Sequence, residues 1–400
     1  MIATFKPCSL RGTTNAPPSK SMAHRYLICS ALSGQKCTFS GIDFSEDILA
    51  SIDCLKSLGA NISADNDTVV IDPENFMQVT NPVLKCRESG STLRFFIPLA
   101  LCLGRTVTLC GSERLFERPL GVYEELCQVN GFVFQKSKNS VTLCGNLKAG
   151  NYKIRGDVSS QFITGLILAL VYLGKDSAIE ILPPFESRSY IDLTISALGS
   201  FGACVTFASE HKIEIKSSKM HAFSGRIEGD YSNAAFLDAF NRIGSEIEIN
   251  NLNPDSFQGD KVYSSYFDMI CRGTPTLDIS DCPDLGPILF ALSALKNGAA
   301  FTGTYRLKAK ESDRAAAMHE ELSKLGGGLI LGNNTVIVPK QELKYNEQVL
   351  DGHNDHRIVM ALSVILSRTG GAIDGAEAVR KSYPEFFKVI KQLGAKVELS

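Results

Sequence analysis

This sequence predicts an α/β protein of two domains, each holding three copies of one unit whose helices are buried among surrounding sheets. Three observations carry that expectation. Six stretches repeat one plan, a short polar and often charged cluster running straight into a long apolar helix-like segment. They are PPSKSMAHRYLICSAL (17–32), RESGSTLRFFIPLALCL (87–103), GDVSSQFITGLILALVYL (156–173), GDYSNAAFLDAFNRI (229–243), SDCPDLGPILFALSAL (280–295) and GHNDHRIVMALSVIL (352–366). About forty residues after each start, a second helical pattern ends at a glycine before a strand-like run: Gly59, Gly131, Gly202, Gly273, Gly326 and Gly394. Finally, 400 residues are too many for one ordinary core.

The first helix of each unit is apolar nearly all round, as in FITGLILALVYL and RIVMALSVIL, so it must be buried on every side. The second is amphipathic. In SYPEFFKVIKQL (382–393), Phe386, Phe387, Ile390 and Leu393 make one stripe, and Lys388, Lys391 and Gln392 face away. The runs ANISA, FVFQK, ACVTF, GLILG and AKVEL follow the second helices as strands, and TVVIDP, SVTLCG and KIEIKS precede the next unit. Buried helices with sheets around them invert the usual plan, in which helices cover a sheet. Asp284 lies only 11 positions after Gly273, too few for the strand pair found elsewhere. The N-terminal segment 2–10 is expected to fill that gap. The second domain is then discontinuous, residues 1–18 and 229–400, around an inserted domain 19–228, with hinge crossings near 18 and 228.

The net charge of −2 gives no global basic field, so nucleic acid is not an expected partner. The longest apolar run, 162–173, is interrupted by Thr164, Gly165 and Tyr172 and is too short to span a bilayer. The start MIATFKPCSLRG lacks a signal-peptide pattern, so a cytoplasmic protein without membrane contact is expected. The 12 cysteines include no C-x-x-C pair, which favours small buried side chains over disulfides or zinc.

The cations are placed more tellingly than their sum. Lys20, Arg25, Arg94 and Arg357 lie in the clusters that begin the repeat helices, and a helix N-terminus is an anion site. Six such termini around a common centre would suit a small, highly anionic ligand. PPSKSMAHR (17–25) joins two prolines and N-cap serines to Lys20 and Arg25, a set fit for phosphate; a capped helix with solvated charges would look the same. RESGSTLR (87–94) has Gly90 where a ligand could approach the backbone. GSERLFERP (111–119) adds Arg114 and Arg118. SSQ (159–161) and ESRSY (186–190) offer Ser159, Ser160, Gln161, Ser187 and Tyr190 for hydroxyls or carboxylates, although capping alone explains the first two serines equally well. KAKESDR (308–314) is the kind of charge run that usually means a solvated helix start. NDHR (354–357) sets Asp355, His356 and Arg357 against a fully apolar helix. Asp355 and His356 as metal ligands lack matching partners, so no metal is expected.

Taken in order, SKSMAHR, ESGSTLR, RLFERP, GDVSSQF, SRSYID, PDLGP, KESDR, NDHR and KSYPEFF make the whole chain resemble the 5-enolpyruvylshikimate-3-phosphate synthase (3-phosphoshikimate 1-carboxyvinyltransferase) family of enolpyruvyl transferases. The resemblance implies a two-domain inverted α/β barrel with six repeated units, three per domain. It implies transfer of the enolpyruvyl group of phosphoenolpyruvate to the 5-hydroxyl of shikimate 3-phosphate. That step belongs to chorismate and aromatic amino acid biosynthesis, is the target of glyphosate, and uses no cofactor. The partners implied are those two small molecules; the repeat scheme leaves no long exposed apolar helix face without a partner, so a monomer is expected. By the same resemblance, Lys20, Ser21, Arg25, Ser159, Ser160, Gln161, Ser187, Tyr190, Asp284 and Lys310 bind shikimate 3-phosphate. Lys20, Gly90, Arg118, Gln161, Arg314, His356, Arg357 and Lys381 bind phosphoenolpyruvate, and Lys20, Asp284 and Glu311 are catalytic. The chain departs from a common family pattern at Glu88–Ser89 (often Asn-Ala), Ser91 (often Thr), Phe95 (often Pro) and Arg306 (Asn in some members).

Two alternatives have discriminating features. UDP-N-acetylglucosamine enolpyruvyltransferase typically carries a reactive cysteine before its R-P motif; here GSERLFERP has none after Cys110. A non-catalytic repeat scaffold would not need Lys20, Asp284, Glu311, Arg357 and Lys381 in family register.

Overall fold

The computed structural model describes all residues, Met1–Ser400. The chain divides into two compact units, Pro18–Glu228 and Met1–Pro17 with Gly229–Ser400, each with its own hydrophobic core.

In Pro18–Glu228 the helices are α1 (Lys20–Leu32), α2 (Glu46–Ser57), α3 (Gly90–Leu101), α4 (Glu113–Glu117), α5 (Gly121–Val129), α6 (Ser160–Tyr172) and α7 (Arg188–Ser200). In the other unit they are α8 (Tyr231–Arg242), α9 (Tyr263–Arg272), α10 (Gly286–Leu295), α11 (Arg314–Lys324), α12 (His356–Thr369) and α13 (Phe386–Gln392). The first helices of the repeats are buried as their patterns require. In α6 every residue from Phe162 to Val171 is buried, and in α12 every residue from His356 to Ser367. No helix is long and apolar enough to cross a membrane.

Five of the six repeats build the same four-stranded sheet. Each has two parallel strands followed by two antiparallel ones; in three of them the parallel pair flanks the first helix and the antiparallel pair is a hairpin after the second. Val83–Arg87, Val107–Gly111, Ser140–Cys144 and Val133–Lys136 show this order. The sheets are separate. The wall around the helices is therefore a set of small sheets rather than one closed barrel. All 12 thiols are free, and half of them are buried.

The N-terminal segment does not fill the gap after Gly273. Ala3–Phe5 instead completes the last sheet, between Gly371–Asp374 and Val397–Leu399. Arg11–Asn15 leads the fourth repeat, parallel to Glu246–Asn250, and that sheet stays two-stranded. The reason is local. Gly59, Gly131, Gly202, Gly326 and Gly394 all take positive φ, between 67° and 99°, and turn the chain back into a strand. Gly273 is extended, with φ −175°, so the chain runs straight into Thr276–Asp278 of the next sheet. In the inserted unit, Gly225–Arg226 pairs parallel to Phe39–Ser40 and supplies the leading strand of its first repeat.

Helices α3 and α6 approach closely at Gly165. A Cβ there would lie 2.4 Å from both the Arg94 carbonyl oxygen and the Tyr123 hydroxyl. That hydroxyl reaches the carbonyls of Arg94 (2.9 Å) and Phe162 (2.7 Å), tying the two helices together just inside their N-termini. Gly165→Ala is expected to lower stability by about 1–3 kcal/mol through overpacking. A reduced urea midpoint checks this; an unchanged midpoint would show that the helices separate freely.

Candidate functional site

A helix buried along its length exposes its unpaired N–H groups and the positive end of its dipole at one place. In Pro18–Glu228 three such ends carry serine caps. Ser19 accepts from the Met22 amide (3.4 Å), Ser89 from Thr92 (3.2 Å) and Ser159 from Gln161 (3.3 Å). Lys20 opens α1 and binds the Asp47 carboxylate at 2.9 Å, with both side chains largely buried. One turn on, Arg25 is nearly fully buried. It donates to the Thr194 hydroxyl (2.9 Å) and to the carbonyls of Ser21 (2.7 Å) and Tyr190 (2.9 Å). It thus joins the start of α1 to the start of α7, where buried Ser187 sits in the left-handed region at φ 56°.

Gln161 is fixed from both sides. Its carbonyl accepts from Arg94 at 2.6 Å and its amide donates to Ser91 at 2.8 Å. Ser160, next to it, is buried. Against Gly90 lies the Arg118 guanidinium, so close that a Cβ on Gly90 would stand 2.6 Å from its Nη1. The absence of a side chain at residue 90 is what admits Arg118. Arg114, by contrast, turns outward and pairs with Glu117 at 2.7 Å, half exposed. Phe95 fills the space beneath the cluster, 5.6 Å from the Arg25 guanidinium carbon.

In the other unit the caps are acidic. Asp230 caps α8 and accepts from Ser232 (2.7 Å) and the Asn233 amide (2.8 Å). Asp355 caps α12 through the Arg357 amide (2.9 Å) and also accepts from Ser312 (3.1 Å) and Arg314 Nε (2.9 Å). Arg314, almost wholly buried, reaches two further carboxylates at 2.8 Å each, Asp284 through Nη1 and Glu311 through Nη2. Asp284 also accepts from Lys310 (3.1 Å) and Arg357 (3.1 Å). Three carboxylates and three cations therefore interlock.

Burial opposes ionisation of Asp284, but Arg357, Lys310 and Arg314 outweigh it and hold the carboxyl well below the usual range. For Lys310 the balance falls the other way. Burial, helped by Arg314 and Arg306, pulls its ammonium down to about 8 against the support of Asp284. Arg357 bonds Asp284 and Ser232 (2.9 Å) through Nη2, while its buried Nε and Nη1 have no protein partner. Buried donors without acceptors are rare, and two on one guanidinium point to an anion. His356 is buried beside it. Lys381 holds the Asn354 carbonyl at 2.7 Å, just before the α12 cap.

The profile of the family described as EPSP synthase (3-phosphoshikimate 1-carboxyvinyltransferase) matches residues 5–390. The chain belongs to the EPSP synthase family. The protein named 3-phosphoshikimate 1-carboxyvinyltransferase in Clostridium kluyveri is 39% identical over 99% of this chain and 98% of its own length. Its namesake in Clostridium perfringens is 37% identical over 97% of each. Among solved structures, EPSP synthase from Acinetobacter baumannii covers 100% of this chain and 99% of its own, with TM-score 0.78 at 20% identity, a likeness of fold.

Several residues that shape the candidate site of this EPSP synthase-family chain escape a reading of the sequence. Asp47, Thr194 and Ser232 act as partners of Lys20, Arg25 and Arg357, and nothing local marks them. His24 is another. Burial, then Lys20 and Arg25, keep its imidazole well below the ordinary value and neutral. Its Nδ1 lies 2.8 Å from the Ser51 hydroxyl, which continues to Thr92 (2.9 Å) and on to the Ser89 cap (2.8 Å). This buried chain links the starts of α1 and α3 through α2.

Asp355→Ala removes the carboxylate that Arg314 Nε needs while Arg314 stays buried. The expected loss is about 3–5 kcal/mol, the cost of breaking a buried pair from one side. Asp313→Ala, which removes only an exposed cap on the Ala316 amide, is expected to cost about 1 kcal/mol. Urea unfolding of both variants checks the contrast, and equal losses would contradict it.

Proposed function

We propose that this chain transfers the enolpyruvyl group of phosphoenolpyruvate to the 5-hydroxyl of shikimate 3-phosphate, releasing inorganic phosphate. The observation that carries the reading is the clustering of cations at helix N-termini, above all the two unpartnered donors of Arg357. Two substrates with two phosphates and two carboxylates need such groups to offset their repulsion. Lys20, Ser21, Arg25, Ser159, Ser160, Gln161, Ser187 and Tyr190 are assigned to shikimate 3-phosphate, with Asp284 and Lys310. Lys20, Gly90, Arg118, Gln161, Arg314, His356, Arg357 and Lys381 are assigned to phosphoenolpyruvate.

The 5-hydroxyl oxygen bonds to C2 of phosphoenolpyruvate while C3 gains a proton. Loss of that C3 proton and of phosphate from the tetrahedral intermediate then restores the double bond. Asp284, held ionised, takes the 5-hydroxyl proton as the C2–O bond forms, and that proton leaves with the departing phosphate. Lys310, at 3.1 Å and titrating near 8, is matched to carry a proton at neutral pH. Glu311 is assigned to the C3 proton; its contact with Arg314 favours the carboxylate, so substrate anions must weaken that contact before it can donate. Lys20 stabilises the negative charge that develops. The chain is assigned to the cytoplasm and acts as a monomer.

Phosphate release from the two substrates tests the reading directly, and its absence would overturn it. Asp284→Asn is expected to lower kcat roughly 10²–10⁴-fold, and near-normal turnover would remove Asp284 from the chemistry.

Lys310 makes the reaction pH-dependent in a defined direction. Below about 8 it is charged and binds an anion; above that value it is neutral. The KM for shikimate 3-phosphate is therefore expected to rise as pH passes 8 in the unmodified chain and to stay flat in Lys310→Arg. Parallel profiles would contradict the assignment.

A further inference from the structure

The turn that delivers Asp355, His356 and Arg357 is held in an unfavourable backbone conformation. His353 and Asn354 have φ of 50° and 49°, two successive left-handed residues, neither of them glycine. Such a pair persists only where its surroundings over-determine it. The Gly352 amide anchors the turn to the Asp374 carbonyl at 2.8 Å, and side chains of one helix hold it from both sides. Arg314 and Glu321 lie seven residues apart on α11, two turns along one face. Arg314 grips the far side of the turn through Asp355. Glu321 grips the near side. Its carboxylate has no solvent exposure and accepts from the Asp351 amide at 2.8 Å, and it meets His353 Nε2 at 2.8 Å. The His353 amide donates to Asp351 at 2.6 Å.

The output of this turn is the Asn354 carbonyl, which receives the Lys381 ammonium at 2.7 Å. We propose that Glu321 and His353 are positioning residues: their buried contact fixes the left-handed turn, and the turn sets where Lys381 and Arg357 stand for phosphoenolpyruvate. The inference rests on the assignment of those two cations above. Lys324 bonds both Glu321 oxygens (2.9 and 3.0 Å) and so supplies the positive charge of this acidic cluster.

The charged groups facing the imidazole are Glu321, Glu320 and Lys324 of α11 and Asp351 of the preceding strand. The hydrogen bond to Glu321 chiefly raises the imidazole above its ordinary value, against burial, with Asp351 and Glu320 adding to it. A raised histidine stabilises the turn fully below the ordinary value and loses its charge only as pH rises through the higher, folded-state one. The neutral ring can still donate, so the contact weakens rather than disappears.

The experiment measures both Michaelis constants on the full chain. His353→Phe is expected to raise KM for phosphoenolpyruvate by about tenfold, as for loss of a hydrogen bond to a charged group, with KM for shikimate 3-phosphate changed less than about twofold. His353→Gln, which keeps a donor, is expected to restore most of that loss. In the unmodified chain the His353 ring signal is expected to titrate above the ordinary imidazole range, with KM for phosphoenolpyruvate rising over the same pH interval. Phosphate release with both Michaelis constants raised together, or with neither changed, would overturn the inference alone. No phosphate release by the unmodified chain would overturn the substrate reading and the inference with it. The titration and the pH dependence need no variant, so a misfolded His353→Phe does not shelter the inference.

Discussion

A helix that is apolar on every side can meet water only at its ends. Much of the chemistry in this chain follows from that constraint. With the flanks of α6 and α12 buried, polar groups have little room except at the N-terminus, where unpaired N–H groups also call for acceptors. Repetition of one unit multiplies such ends. The two units answer the need differently. Serine caps in Pro18–Glu228 are neutral and leave the positive end of each helix available to an anion. Aspartate caps on α8 and α12 in the other unit already offset the dipole. Anion binding there has to come from arginine and lysine side chains brought over those caps.

Charges that deep must be paired. Asp284, Glu311 and Asp355 face Lys310, Arg314 and Arg357, three against three, with Arg314 at the centre. The balance is uneven in grip. Arg314 is stabilised in its charged form, because Asp355, Glu311 and Asp284 outweigh its burial. For Lys310, burial together with Arg314 and Arg306 outweighs the support of Asp284 and Glu311, so its charge is the easiest of the three to remove. A network balanced without ligand accepts a further anion only by sharing its cations. The carboxylates they release are those assigned to proton handling, so binding and acid–base strength are coupled through the same few contacts.

The repeat, the buried helices and most strands were legible because each is written locally, in periodicity, caps and glycines. The motif residues could be read too, because they crowd at helix starts. What escaped depends on pairings across long stretches of chain. Ala3–Phe5 and Arg11–Asn15 read as one N-terminal strand segment, yet they serve two different sheets. Gly273 looks like the five other terminal glycines, and only its extended φ separates it from them. Asp47 sits in an ordinary helix start, and its partner Lys20 is 27 residues away. Thr194 meets Arg25 across 169 residues and Ser232 meets Arg357 across 125. No spacing rule reaches that far.

The way the chain closes its two units has a consequence for their assembly. The inserted unit has every strand once Arg226 exists, because Gly225–Arg226 returns to lead the first sheet. The other unit begins with Ala3–Phe5, whose partners are Gly371–Asp374 and Val397–Leu399. Its last sheet pairs the first residues of the chain with the last. Contacts of that separation cost the most loop-closure entropy and form slowly. They join at the sheet that carries α12, whose N-terminus presents Asp355, His356 and Arg357. Arg357, at the start of α12, therefore belongs to the repeat whose sheet needs the most distant pairing, whereas Lys20, Arg25 and Arg118 belong to a unit whose sheets close within Pro18–Glu228.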